Sequence, residues 1–383
     1  MNGLYCHIPF CTSKCRYCTF FSVTSLREIP AFLEGVKKEA ELYAGEGDFS
    51  WYSQHGVRFD TLYLGGGTPS VVDANQMAGL VRHLRLCLPF SPDAEITMET
   101  NPGDLSLHQL EPLMEAGINR LTIGVQSFSD RNLAFLGRRH TAEQAERAIC
   151  IARQAGITNL GIDLIYGLPG QSLHSWRSDL DHAVGLAPEH ISCYQLTVEK
   201  GTPLGEEMRE GRIAPLPEQK AYDFFVATSR LLTGAGYDHY EISNFSRGER
   251  NRARHNGKYW QHIPYLGLGP SAHSFSGTRR WWNHASVEQY CAALTEGRLP
   301  VEGSEELGVQ EMRIESLYVG FRTREGIDLV RFREGFGQDL EREPPGLLAM
   351  LEAQGRVKVR EGRVIPTLQG MAVADALTSL FIQ

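Results

Sequence analysis

The sequence predicts an α/β fold: a full or partial TIM-type barrel of βα units, followed by a small C-terminal domain resembling a winged helix. Three observations predict it. Short β-rich runs alternate with amphipathic helical stretches through the first two-thirds of the 383 residues, the pattern of parallel βαβ units. Residues suited to chemistry gather where those runs end, which in such barrels is the working rim. Near residue 300 the period changes to short helices and one hairpin.

In chain order, strands are expected at LYCHI (4–8), TLYLG (61–65), EITME (95–99), RLTIGV (120–125), NLGIDLI (159–165) and HISCYQLTV (190–198). Helices are expected at 29–45, 74–87, 141–156 and 173–186, where apolar residues recur at helical spacing. Pro30 suits a first turn, Gly45 and Gly156 suit C-caps, and Thr141 with Gln144 forms a capping-box pattern. GTPLGEEMREGRIAPLPEQ (201–219) reads as a loop and AYDFFVATSRLLTGAG (221–236) as a helix. NFSRGERNRARHNGKYWQHIP (244–264) reads as a long, basic loop tipped with aromatics. Residues 1–302 form the expected barrel domain. Residues 303–383 form the second, with helical runs in 307–321, 330–337 and 344–354, a hairpin turning at Glu361-Gly362, and a closing helix over 367–382.

Composition narrows the function classes. With 42% hydrophobic and 22% charged residues the chain is an ordinary globular protein, and its net charge of −8 provides no basic field for nucleic acid. No stretch approaches the roughly 20 apolar residues of a membrane span, and the N-terminus lacks the regions of a secretory signal. A cytosolic location is therefore expected. There, eight cysteines argue for metal or redox chemistry before disulfides. Cys6, Cys87, Cys150, Cys193 and Cys291 are scattered and read as small buried hydrophobes. Cys11, Cys15 and Cys18 are not scattered: they fall within eight residues of one another in the segment IPFCTSKCRYC, directly after the first strand.

Zinc is the obvious rival for that loop, but a structural zinc site takes four ligands, usually two Cys-x-x-Cys pairs, and no second pair exists here. A cubane cluster normally takes four thiolates; three leave one iron with a vacant position. Cys-x3-Cys-x-Tyr-Cys after a first barrel strand resembles the radical SAM superfamily. The resemblance implies a 4Fe–4S cluster held by Cys11, Cys15 and Cys18, with S-adenosylmethionine on the open iron and Tyr17 near its adenine. It also implies a low-potential electron donor such as flavodoxin or ferredoxin.

At the next strand end stands GGGTPS (65–70), whose backbone N–H groups can approach an anion closely. In the radical SAM pattern that anion is the methionyl carboxylate, with Gly66, Gly67 and Thr68 as contacts and Glu99 for the ammonium group. Gln126 and Asp163 suit ribose hydroxyls, and Arg138 suits a carboxylate. Asp163 is the sharpest of these, because a carboxylate among Ile162, Leu164 and Ile165 needs a partner to be tolerated.

YCHIPFCTSKCRYC, YLGGGTPS, GVQSF, IDLIYGLPGQ, HYEISNF, HNGKYW and YLGLGPSAHSF together resemble the branch related to oxygen-independent coproporphyrinogen III oxidase (HemN). Within it they look most like the HemW haem chaperones. In this branch Tyr5 contacts the cofactor carboxylate, and the site holds one or two S-adenosylmethionine molecules. The oxidase carries a further cysteine shortly after the third ligand, where this chain has Thr19 and Phe20, and a long N-terminal extension, whereas this chain starts four residues before Tyr5. Thr19 also replaces the aspartate common in the family. HNGKYW (255–260) matches the HNxxYW signature that goes with haem binding in the HemW group, placing the haem region at 240–275. The expected contacts are His255, Tyr259, Trp260 and His273, with Arg247, Arg250, Arg252 and Arg254 near the propionates. The resemblance implies a chaperone delivering haem to apo-haemoproteins, with transient membrane-protein contact and a homodimer as further expectations. Radical decarboxylation of coproporphyrinogen III is the alternative; a radical methyltransferase or haem-modifying enzyme is the third reading.

Overall fold

A computed structural model describes residues 1–45 and 58–382; positions 46–57 and 383, within the two expected domain ranges, lie outside it. Its frame is six parallel strands: β1 (Asn2–Ile8), β2 (Phe59–Gly66), β3 (Phe90–Thr100), β4 (Arg120–Gln126), β5 (Asn159–Tyr166) and β6 (His190–Gln195). Between them run α1 (Ile29–Ala44), α2 (Ala74–Cys87), α3 (Leu107–Glu115), α4 (Asp130–Leu136), α5 (Ala142–Gln154) and α6 (Leu173–Gly185). Local chemistry sets the helix starts. Asp73 accepts the backbone N–H groups of Asn75 and Gln76, and Thr141 with Gln144 closes the expected capping box. Gly156 takes φ +96° just past the end of α5, a conformation that costs glycine nothing.

Strand residues alternate strictly between two environments. Leu62, Leu64, Leu121, Ile123, Ile162 and Leu164 are fully buried against the helices, each burial stabilising by about 1.5–3 kcal/mol. Their neighbours, including Tyr63, Glu99, Thr122 and Asp163, line the lumen. That alternation places Asp163 on the opposite face from Ile162 and Leu164.

Beyond β6 come α7 (Pro203–Arg209), α8 (Glu218–Gly234), β7 (Asp238–Glu241), β8 (Asn244–Ser246), α9 (Arg254–Trp260), β9 (Tyr265–Leu268), β10 (His273–Ser276), β11 (Arg279–Asn283), α10 (Val287–Thr295) and β12 (Val301–Glu306). The twelve strands form one sheet in the order β12-β11-β10-β9-β1-β2-β3-β4-β5-β6-β8-β7. Because β12 and β7 are ends of this order, the barrel is a partial one. Two stretches expected as loops contain helices. In 201–219, α7 is capped by Thr202, whose hydroxyl accepts the Gly205 N–H at 3.0 Å, with Pro203 in its first turn. In 244–264 lie β8 and α9.

A second core around Leu317, Phe321, Phe332, Leu351, Val364 and Phe381 is built by α11 (Val309–Gly320), β13 (Ile327–Asp328), α12 (Leu329–Phe336), α13 (Leu347–Ala353), β14 (Val357–Arg360), β15 (Arg363–Pro366), α14 (Leu368–Met371) and α15 (Ala374–Leu380). The expected hairpin turns through Glu361 and Gly362, both at positive φ, as a two-residue turn requires. The expected closing helix is two helices, α14 and α15, and a third strand, β13, pairs with β15. No helix among the described residues is long and apolar enough to cross a membrane.

Candidate cofactor site

The cysteine loop leaves β1 and returns beside it: Val23 donates its N–H to Pro9 O (2.7 Å) and Cys11 donates to Val23 O (3.0 Å). Arg16 fastens the tip, donating from Nη1 to Phe135 O at 3.0 Å and pairing with Glu207 of α7. Leu204 N–H in turn bonds Arg16 O at 3.1 Å. The helix missed in the sequence thus holds the loop. Its signal was present, in the Thr-Pro pair followed by Glu206.

Cys11, Cys15 and Cys18 line one cavity of about 510 Å³ together with Tyr17, Gly66, Gly67, Thr68, Glu99, Gln126, Arg138 and Asp163. All eleven were expected at this site, and the fold brings them together at the C-terminal ends of the strands. The glycine run, however, works differently from the expectation. Gly66 N–H goes to Glu99 Oε2 (3.2 Å), Gly67 N–H to Ile8 O (2.9 Å) and Thr68 N–H to Phe10 O (2.8 Å). None of these three donors is left for an anion; the run clamps the cysteine loop instead. A Cβ on Gly67 would lie 2.7 Å from Phe10 O and 2.8 Å from Ile8 O, so only glycine admits this approach.

Of the carboxyls that line the cavity, the expected Glu99 and Asp163 are deeply set, and Glu199 also lines it. Glu99 accepts from Tyr63 Oη at 2.6 Å, yet burial, reinforced by Asp163, raises it to about 7. Burial also raises Asp163 to about 6 against the opposing hydrogen bond from Ser192. Arg138 reaches Cys15 Sγ (3.5 Å) and Gly124 O (2.8 Å), while its buried Nε has no partner among the described residues. Gln126 takes φ +68°, a strained conformation of the kind concentrated at working sites. Tyr17 also packs on the apolar cluster of Leu136, Ile165, Leu196 and Leu204 beneath α7.

This donor set fits the implied cofactors. Three thiols share one wall, and Arg138 Nη1 lies 3.5 Å from Cys15 Sγ. Two carboxyls that resist ionising would be relieved by a ligand carrying ammonium and sulfonium charge, and the unpartnered Arg138 Nε suits its carboxylate. No group of His, Cys, Asp or Glu among the described residues gathers around a single metal ion; a cubane spreads its ligands over separate irons.

Tyr5 is not among the cavity-lining residues. His7 Nε2 must donate to Phe21 O (2.8 Å), so its Nδ1 accepts from Tyr5 Oη at 2.9 Å. Tyr5 therefore steadies the returning limb of the loop. Tyr63 and Tyr194 were missed by sequence reasoning. Tyr194 is 40% exposed although it stands on an inner strand face, because the lumen is hollow; its place beside the end of β6 was the available signal.

HNGKYW lies elsewhere, at the N-terminal end of the barrel. Glu95 accepts the backbone N–H groups of Arg254 (3.3 Å) and His255 (3.2 Å), and Lys258 Nζ pairs with Asp60 at 2.6 Å. His255 is 1% exposed, with Nδ1 bonded to Thr61 Oγ1 (2.8 Å) and Nε2 to Tyr259 Oη (2.9 Å). Burial drives its imidazole down to about 3. Both nitrogens are committed, so this histidine plugs the barrel and offers no lone pair to iron. Arg252 pairs with Asp238 and Glu325, Arg254 pairs with Asp60, and Arg247 lies over Tyr237, leaving Arg250 exposed. His273 is exposed at the start of β10, its ring 5.8 Å from Trp282. Cys6 and Cys193 are buried as expected, whereas Cys150 is exposed.

Comparison with known proteins gives the family. Residues 5–183 match the radical SAM superfamily profile and residues 310–373 the HemN C-terminal domain. Similar curated proteins carry the name "Heme chaperone HemW". The protein from Mycobacterium tuberculosis is 34% identical over 98% of this chain and 93% of its own length. That from Bacillus subtilis is 31% identical over 100% and 99%, and that from Escherichia coli 39% over 71% and 69%. The solved structure of coproporphyrinogen III oxidase (HemN) from Escherichia coli, a radical SAM enzyme, matches with a TM-score of 0.82 at 25% identity, covering 100% of this chain and 90% of that one. This chain belongs to the HemW family of the radical SAM superfamily.

Proposed function

We propose that this protein is a haem chaperone: it binds haem and delivers it to apo-haemoproteins. One observation carries the reading, the similarity to proteins named haem chaperones across 98% of the chain. Cys11, Cys15 and Cys18 hold a 4Fe–4S cluster, with S-adenosylmethionine beside it against Glu99, Asp163, Gln126, Arg138 and Tyr17. When bound, the cluster supplies the low-potential electron that such sites deliver to the sulfonium. The protein's own residues position the bound groups: the glycine clamp and α7 fix the loop, Glu99 and Asp163 face the positive charge of S-adenosylmethionine, and Arg138 faces its carboxylate. A barrel domain over 1–302 and a second domain over 303–383, a flavodoxin- or ferredoxin-type donor, a cytosolic location, transient membrane-protein contact and homodimerisation belong to the same proposal.

The test is anaerobic reconstitution followed by haem titration, S-adenosylmethionine cleavage and a coproporphyrinogen decarboxylation assay on one sample. Haem binding without decarboxylated product is expected. Absence of haem binding overturns the reading. Decarboxylated product would favour the oxidase alternative, which the whole-chain structural match to HemN supports.

A further inference from the structure

Arg120 stands at the start of β4 and is 2% exposed. Its place in the sheet fixes where the guanidinium goes. Residues two apart on a strand share a face and are separated by about 6–7 Å, so Arg120 and Thr122 both face the lumen, one step apart. In register, Glu99 of β3, Thr122 of β4, Gly161 of β5 and His190 of β6 form one level across the sheet. Asp163 stands one step above Gly161. The Arg120 side chain climbs into this level from below: Nη1 donates to Thr122 Oγ1 at 3.0 Å, and a Cβ on Gly161 would lie 3.3 Å from Nη2. Thr122 lines the cofactor cavity and Arg120 does not. The guanidinium thus comes up beneath the site without touching what the site holds.

Its charge has no partner there. Arginine carries five N–H donors and stays protonated. Among the described residues Thr122 is the one hydrogen-bond partner of the Arg120 side chain, no carboxylate lies within ion-pair reach, and the buried Nε is unpartnered. Other arginines of the barrel do close ion pairs, Arg153 with Glu189 and Arg254 with Asp60. A buried charge left open in this way opposes folding, so packing does not account for it.

The carboxyls at this level and the next are Glu99 and Asp163. Burial raises both, and the Arg120 charge works against that rise at each. The other groups around them stay fixed: burial keeps Tyr5, Tyr17, Tyr63, Tyr194 and Tyr259 protonated and His190 neutral. Arg138 is engaged with Cys15 and Gly124 O. Glu199 is exposed at the mouth, and Glu241 of β7, raised by burial to about 7, accepts the Ser243 N–H at 3.2 Å.

We propose that Arg120 is a positioning residue for the cofactor site, a permanent counter-charge tethered beneath Glu99 and Asp163 that lets both become carboxylates when a cationic ligand enters, without pairing with either. The identity of that ligand, S-adenosylmethionine, rests on the cofactor reading above. At an effective dielectric of about 20 and a separation of about 7 Å, losing this charge should raise the carboxyls by about one pH unit or more.

The test measures S-adenosylmethionine binding to the cluster-loaded, unreduced full chain from about pH 5 to about pH 9, for wild type, Arg120→Met and Arg120→Lys. Arg120→Gln, which retains an amide donor for Thr122, is carried beside Arg120→Met against misfolding. The same proteins without cofactors are unfolded in denaturant over the same range. Expected for the neutral variants is a binding midpoint displaced upward by about one unit, with undiminished affinity at the alkaline end. The window over which the cofactor-free chain loses stability should extend upward equally. Arg120→Lys, which keeps the charge, should stay near wild type. A packing role would instead lower affinity equally at every pH. That outcome, an unmoved midpoint in the neutral variants, or an Arg120→Lys profile displaced as far as theirs overturns the proposal. If wild type binds no S-adenosylmethionine, the cofactor reading itself fails, and the unfolding profiles decide the role of Arg120: an unextended window refutes it.

Discussion

Gly67→Ala is the sharpest probe of how the cluster loop is held. The added Cβ would lie 2.7 Å from Phe10 O, 2.8 Å from Ile8 O and 2.9 Å from Phe10 N. All three are backbone atoms, so no side chain can swing aside. Overpacking of this kind costs about 1–3 kcal/mol. Relief by pushing the loop away would break the Gly67–Ile8 and Thr68–Phe10 hydrogen bonds, at about 0.5–1.5 kcal/mol each. The penalty, roughly 2–6 kcal/mol, falls on the loop that carries three thiols and leaves the apolar outer layer of the barrel untouched. Iron and sulfide content after anaerobic reconstitution is therefore expected to collapse, while far-ultraviolet circular dichroism stays as in wild type. Gly79→Ala is the control. Nothing lies within 4 Å of its Cβ, in the middle of α2, and the change stabilises by about 0.5–1 kcal/mol through helix propensity. Wild-type iron content in Gly67→Ala would refute the clamp.

Three further outcomes follow from the same geometry. Glu99 at about 7, against its ordinary 4.5, and Asp163 at about 6, against 3.8, hold protons that the unfolded chain releases. The contribution of these two groups to the stability of the cofactor-free chain should therefore be fully present at low pH and be lost as pH rises from about 4 to 7, by about 3 kcal/mol for Glu99; S-adenosylmethionine affinity should rise over the same window, because its positive charge favours the carboxylates. Glu99→Gln should flatten the upper part of both curves, and unchanged curves would contradict the assignment. Cys15→Ala should abolish the brown cluster absorbance and leave a folded barrel; an unaltered spectrum would remove the cluster from this loop. Glu95→Ala should uncap α9, costing about 1–2 kcal/mol, with faster amide exchange over residues 254–260 and undiminished iron; unchanged exchange there would show that Glu95 does not hold the plug.

The order of β1 to β6 and of the long helices α1, α2, α5 and α6 was legible because it is written in local periodicity, whereas the shorter α3 and α4 were not expected. Apolar residues at spacing two and at spacing near four mark β1 to β6 and the long helices whatever they pack on, and Thr141 with Gln144 carries its cap within four residues. The cysteine loop was legible for the same reason, its three thiols lying eight residues end to end. Helices α7 and α9 were not. Each has seven residues, too few to be stable alone, and they persist because distant groups hold them: Arg16 for α7, Glu95 and Asp60 for α9.

Long-range hydrogen bonding decided the rest. Nothing within GGGTPS tells whether its N–H groups meet a ligand or the carbonyls of Ile8 and Phe10, because those partners lie about sixty residues away in the chain. Nothing in HNGKYW tells that Thr61, nearly two hundred residues earlier, takes one nitrogen of His255. Sequence alone determined which chemical groups the chain carries and, to within a residue, where β1 to β5 end, whereas β6, expected to 198, stops at Gln195. Tertiary structure decided which of those groups remain free, because a donor or acceptor brought inside must find a partner, and only the folded chain shows which partner it found.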